Sequence, residues 1–145
     1  MDWTALAKEK LKEYSLKKVS IENLTDEIKE LQYRRRSIRS AISDGSPVAG
    51  GTNKREDMLL NTIMLQKELE ENLRIVTRFV RGVENALGEL SEEERIILDR
   101  FFIHSEKGAA ERLAMDLGID VKTVYHRKDR ALNRFTKALY GCLTT

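Results

Sequence analysis

The chain is poor in residues that break helices or cross-link a fold. Pro47 is its only proline and Cys142 its only cysteine; glycines number 8, and aromatics make up 6% of 145 residues. A single cysteine forms no intramolecular disulfide. With only His104 and His126 beside it, there is no ligand set for a structural zinc site, so no metal or cofactor is expected. No apolar run approaches the ~20 residues of a membrane-spanning helix. Met1-Asp2-Trp3-Thr4 opens a charged segment, not the basic stub and apolar stretch of a secretory leader. These absences lead to the expectation of a soluble cytoplasmic protein with no membrane partner.

What remains is charge and helix formers. Charged residues make up 34%, with 26 Lys and Arg against 24 Asp and Glu and a net charge of +2. This composition favours long helices over a sheet-based core, so an all-α fold class is expected. A near-balanced total can hide a segregated distribution, and a nucleic acid senses distribution.

Over residues 4–43 there is no proline or glycine. Apolar residues recur on a heptad, with Tyr14, Ile21, Ile28 and Ile42 in one position and Leu24, Leu31 and Ile38 in the other. Residues 44–53 interrupt it with glycines, Pro47 and small polar residues, which predicts a loop. A second helix is expected after Asn53, capped by it with Glu56 three residues on. It runs to about Leu87 on a heptad of Leu69, Val76 and Val83 with Leu73, Val80 and Leu87; Met58, Leu59, Ile63 and Leu65 are less regular. Two striped helices joined by a short loop predict a long antiparallel helical hairpin, coiled-coil-like, over 1–88. Hairpins of this length leave apolar surface over, so a homodimer through these helices is expected.

Gly88 and a capping box of Ser91 with Glu94 mark the start of a second unit, 91–145. Residues 92–102 hold Ile96, Ile97, Leu98, Phe101 and Phe102, the densest apolar cluster, and predict a core helix. Helices over about 109–117 and 121–140 should follow, separated by a Gly118-Ile119-Asp120 turn. Two helices meeting at a sharp angle need a small residue at their contact, a glycine in the turn, a cap for the second helix and an apolar anchor one turn in. Ala114, Gly118, Asp120 and Val124 supply these in order.

The stretches LSEEERIILDRFF, LAMDLGIDVKTV and RAL resemble region 4 of bacterial sigma factors over about 91–140. The resemblance implies a helix-turn-helix whose last helix reads a promoter element in the DNA major groove. Joined to a long helical N-terminal part, the pattern is also similar to phage regulators of the ArpU and RinA type, which implies a late-gene transcription regulator in the bacterial cytoplasm, associated with the nucleoid. Sigma factors carry an apolar residue at the place of Arg127, and nothing here resembles the promoter-melting region. A complete sigma factor is therefore not expected.

Charge agrees with that implication. Over 121–140 stand Lys122, Arg127, Lys128, Arg130, Arg134 and Lys137 against one acid, Asp129, whereas 91–120 is net negative. Residues early in a recognition helix point to base edges, so Lys122, Thr123, His126 and Arg127 are the candidate base readers, and Lys128, Arg130 and Arg134 the candidate phosphate contacts. Tyr125 either joins one of these groups or packs. Leu113, Leu117, Val124, Leu132, Phe135 and Leu139 are core.

Arg34, Arg35, Arg36 and Arg39 put four arginines in six residues, either a solvated helix end or a grip on an anionic partner. Arg35 stands where the heptad expects an apolar residue, which sets register or marks a divergence of the paired helices. Gly50-Gly51-Thr52-Asn53-Lys54 lacks the spacing and the preceding strand of a phosphate-binding loop. The acids sit on helix faces where i to i+4 pairing accounts for them, so no enzyme is expected. Partners expected are double-stranded DNA and RNA polymerase. The alternative is a DNA-packaging recognition protein similar to a small terminase subunit; a helical adaptor without DNA binding is the third.

Overall fold

The computed structural model describes residues 1–44 and 51–145, and most of the loop expected at 44–53 lies outside them. The described chain is all-helical: α1 (Trp3–Ser43), α2 (Gly51–Gly88), α3 (Glu92–Leu98), a π turn (Asp99–Ile103), α4 (Ala109–Leu117) and α5 (Val121–Tyr140). Asp2 caps α1, its carboxylate accepting from the backbone N–H of Thr4 at 3.0 Å and of Ala5 at 3.4 Å. Helix α2 already includes Gly51, so Asn53 lies inside its first turn and is not the cap the sequence suggested.

Packing divides the chain into two compact units, residues 1–18 with 78–145 and residues 19–77. The expected division near Gly88 is therefore not where the contacts separate. The reason is a shared core. Ala7 and Leu11 of α1, Val83 and Ala86 of α2, Leu90, Leu98 of α3, and Ala131, Leu132 and Phe135 of α5 form one buried cluster. Burial of apolar surface is non-directional, so α5 takes its cover from whichever helices reach it.

In the same unit Tyr14 donates to Glu84 Oε2 at 2.6 Å and Lys18 approaches that oxygen at 3.0 Å, while the Lys17 ammonium lies 4.2 Å from the Phe79 ring centroid. The backbone N–H of Trp3 donates to the Leu143 carbonyl at 3.1 Å, and the Trp3 and Tyr140 rings lie 5.0 Å apart. These contacts pin the start of α1 beside the end of α5.

Helix α3 begins as expected. Ser91 and Glu94 form the reciprocal capping box, at 3.2 Å and 3.0 Å. Regular α-helix then stops at Leu98, short of the expected Phe102, and the chain widens into a π turn closed by His104 N–H on the Asp99 carbonyl at 2.7 Å. Leu98, Phe102 and Ile103 serve the first cluster. Ile97 and Phe101 serve a second with Ala110, Leu113 and Val124. Ile96, by contrast, is exposed.

In the unit of residues 19–77, Ile28 and Leu31 are buried and Ile21, Leu24, Ile38 and Ile42 half-buried, as the heptad requires. On α2 Arg55, Leu59, Thr62, Gln66, Leu69, Leu73 and Val76 are covered in an alternation of four and three residues, with Ile63 and Thr77 half-buried beside them. The region that looked irregular by hydrophobicity is regular in geometry, with polar residues on the seam. Arg35 donates to Gln66 Oε1 at 3.0 Å, and Arg55 to the Ala41 carbonyl at 2.7 Å. As α1 advances from Arg35 to Ala41 its partners step back along α2, so the two segments run in opposite directions.

A buried leucine replaced by alanine typically costs ~2–5 kcal/mol. Leu11→Ala is expected to lower the urea stability of the full chain by that amount, and the 91–145 fragment to lack a cooperative transition. A cooperative fragment would show that α3 to α5 close a core without α1 and α2.

Candidate nucleic-acid interface

The turn between α4 and α5 is fixed by two local devices. Gly118 ends α4 at φ 68°, a left-handed conformation that a side chain disfavours, and the N–H of Ile119 returns to the Ala114 carbonyl at 3.1 Å. Asp120 then caps α5, its carboxylate accepting from Thr123 N–H at 2.7 Å. The Thr123 side chain first, and its backbone N–H second, hold the Asp120 carboxyl below the usual range, with the His126 ring a minor contributor. Val124 is fully buried one turn in, and Ala131, Leu132, Phe135 and Thr136 continue the buried face of α5.

The opposite face of α5 carries a cationic stripe. At 100° per residue, Lys122, His126, Arg130 and Lys137 fall on one line pointing away from the core. All four are exposed. Among the described residues, Lys122, Arg130 and Lys137 have no carboxylate at ion-pair distance. Lys137 belongs to this stripe although it was not among the candidate contacts; its spacing from Arg130, two helical turns on, was the signal for it. Thr123 lies at the edge of the face, half-buried, its N–H committed to the cap.

The remaining candidates are engaged elsewhere. Arg127 donates to Glu93 Oε1 at 2.5 Å, and Arg134 to Glu94 Oε1 at 2.6 Å and the Glu89 carbonyl at 3.2 Å. Both guanidiniums point along the flank that faces α3, where with Arg130 they line a cleft of about 460 Å³. The charge at position 127, unexpected beside the resemblance, thus has a local acid to meet. Lys128 is largely covered: its ammonium lies 5.7 Å from the Phe101 centroid, 5.5 Å from that of Tyr125 and 3.0 Å from Asp129. Its side chain is 19% exposed. Tyr125 packs edge-on to Phe101 at 5.8 Å while remaining 45% exposed.

The acids Glu93 and Glu94 were not foreseen as partners, because 34 and 40 residues separate them from Arg127 and Arg134 and no helical period links such positions. Glu94 has two duties on one oxygen, accepting from both the Ser91 N–H and Arg134.

Ser15, His104 and Asp99 also converge, with Ser15 Oγ to His104 Nε2 at 3.4 Å and His104 Nδ1 to Asp99 Oδ1 at 2.8 Å. The order resembles a nucleophile relay, but the His104 side chain is 71% exposed, and Ser15 lies inside α1, where backbone N–H groups are consumed by the helix and none is free to stabilise an oxyanion. Comparison with protein-family models, with curated proteins and with solved structures finds no significant match.

The Arg127 and Glu93 side chains are each 41% exposed, which places their pairing in the surface range of a few tenths to ~1 kcal/mol. A double-mutant cycle of Arg127→Ala and Glu93→Ala in urea is expected to return a coupling of that size. Zero coupling would mean that Arg127 is free for other ligands.

Proposed function

We propose that the chain is a sequence-specific DNA-binding transcriptional regulator of the kind phages and prophages encode. In this reading α4, the Gly118 turn and α5 act as a sigma region 4-like helix-turn-helix, with α5 in the major groove. The observation that carries it is the unpaired stripe of Lys122, Arg130 and Lys137, with His126 between them, on a helix whose other face is anchored by Val124, Leu132 and Phe135. A major groove about 12 Å wide admits one such helix, and its first turns meet base edges. Lys122, Thr123 and His126 then read bases; Arg130 and Lys137 contact phosphate; Arg127 and Arg134 hold α5 to α3.

DNA selected from a random pool should yield a defined site. Lys122→Ala and His126→Ala are expected to weaken that site more than random duplex. Arg130→Gln and Lys137→Gln should weaken both alike, each removing roughly one unit from the salt slope. Equal affinity of the parent for all sequences at physiological salt would sink the specific reading.

In the same reading α1 and α2 form an antiparallel hairpin that joins two copies and offers a surface to RNA polymerase. Leu60, Met64 and Ile75 are 56%, 57% and 53% exposed on the side of α2 turned away from its seam. Apolar residues gathered on one helix face favour a partner surface. Sedimentation at micromolar concentration is expected to give a dimer mass and Met64→Glu a monomer; a monomeric parent overturns this part.

A further inference from the structure

The arginine cluster of α1 differs from the five arginines that pair with acids. Arg74, Arg100, Arg112, Arg127 and Arg134 each meet a carboxylate oxygen at 3.1 Å or less. Among the described residues none of Arg34, Arg35, Arg36 and Arg39 does. The undescribed stretch 45–50, Gly-Ser-Pro-Val-Ala-Gly, contains no acid that could supply one. Like charges this close repel, and within the cluster no acid offsets that repulsion.

Their placement is also specific. By helical angle Gln32, Arg35, Arg36 and Arg39 share one face, with Arg34 outside it. Those four residues line a cleft of about 330 Å³. Arg35 is half-buried, and its Nη1 is fixed by Gln66 Oε1 at 3.0 Å. The Gln66 amide is in turn oriented by Glu70 Oε1 at 2.7 Å. One guanidinium is therefore held in place at the cleft edge while Arg36 and Arg39 are exposed beside it.

We infer that this cleft binds the phosphate backbone of a nucleic acid, at a site separate from α5. Three arginines and a glutamine line it, their aliphatic stems beside their polar ends, and guanidinium forks match phosphate oxygens in pairs. Among the described residues the lining holds no apolar or aromatic side chain of the kind that anchors a protein interface. Arg35, Arg36 and Arg39 span ~6 Å of helix, and one strand of a duplex presents a phosphate per ~3.4 Å of axis, so about two phosphates of one strand fall within their reach. Sequence plays no part in such a contact; the site adds affinity, not discrimination.

The inference does not depend on α5 being a recognition helix, and the test keeps the two apart. Full-length chain is titrated with a labelled random-sequence duplex over a salt series, and separately with polyglutamate as an acidic polypeptide. Arg36→Gln/Arg39→Gln leaves the Arg35–Gln66 contact in place and is expected to cost about tenfold in duplex affinity and to lower the salt slope by roughly two. The same loss should appear when Lys122→Gln/Arg130→Gln is already present. The control Arg78→Gln/Arg81→Gln removes two exposed charges from α2 and is expected to change affinity less than twofold. An unchanged slope in the cluster variant, an equal loss in the control, or a loss confined to polyglutamate would each overturn the assignment.

Discussion

Phe135 is fully buried, and the cluster it belongs to draws on distant parts of its unit: Ala7 and Leu11 from one end of the chain, Val83 and Ala86 from the middle, Leu98 from α3. That single cluster constrains everything around it. It fixes the inner face of α5, and a helix whose inner face is fixed has its outer face fixed too, because 100° per residue leaves no independent choice. Lys122, His126, Arg130 and Lys137 are exposed together because Val124, Ala131, Leu132 and Phe135 are buried together. The cationic stripe is in this sense a product of the core.

Electrostatics then sorts the cations of α5 by flank. On the side of α3, Glu93 and Glu94 take up Arg127 and Arg134; toward the core, Lys128 lies over Phe101 and Tyr125. Only the central line is left for an outside anion. Surface pairs of this kind contribute little to stability individually. Their larger effect is on which charges remain available, and they reduce a broad basic patch to a narrow one with a direction.

Elements and their ends were largely legible in the sequence, since they depend on neighbours. The heptads of α1, the Ser91–Glu94 box, the Gly118 turn and the Asp120 cap follow from spacing alone, and each has the local geometry that spacing implies. Long-range pairings were not legible. Nothing in LSEEER says that its second and third glutamates will meet Arg127 and Arg134, and nothing before Ser15 says that Leu11 shares a core with Phe135. The π turn was missed for a different reason: hydrophobic periodicity reads Ile97, Leu98, Phe101 and Phe102 as one helical face, and they instead divide between two clusters. Hydrophobicity also hid the early seam of α2, because Arg55, Thr62 and Gln66 occupy positions usually given to leucine.

The Arg35–Gln66 contact carries a consequence for how this molecule can change length. A slip of seven residues would set Arg35 across from Leu59 or Leu73, stranding a guanidinium and an amide without their hydrogen bond, each at a cost of ~1–3 kcal/mol. An insertion or deletion on one helix between this pair and the loop is therefore tolerated only when the other helix changes by a matching number of residues in the same interval. Length variation on this side of the pair should come as matched changes on both helices, and a designer who wishes to shorten or extend them would have to cut both at once.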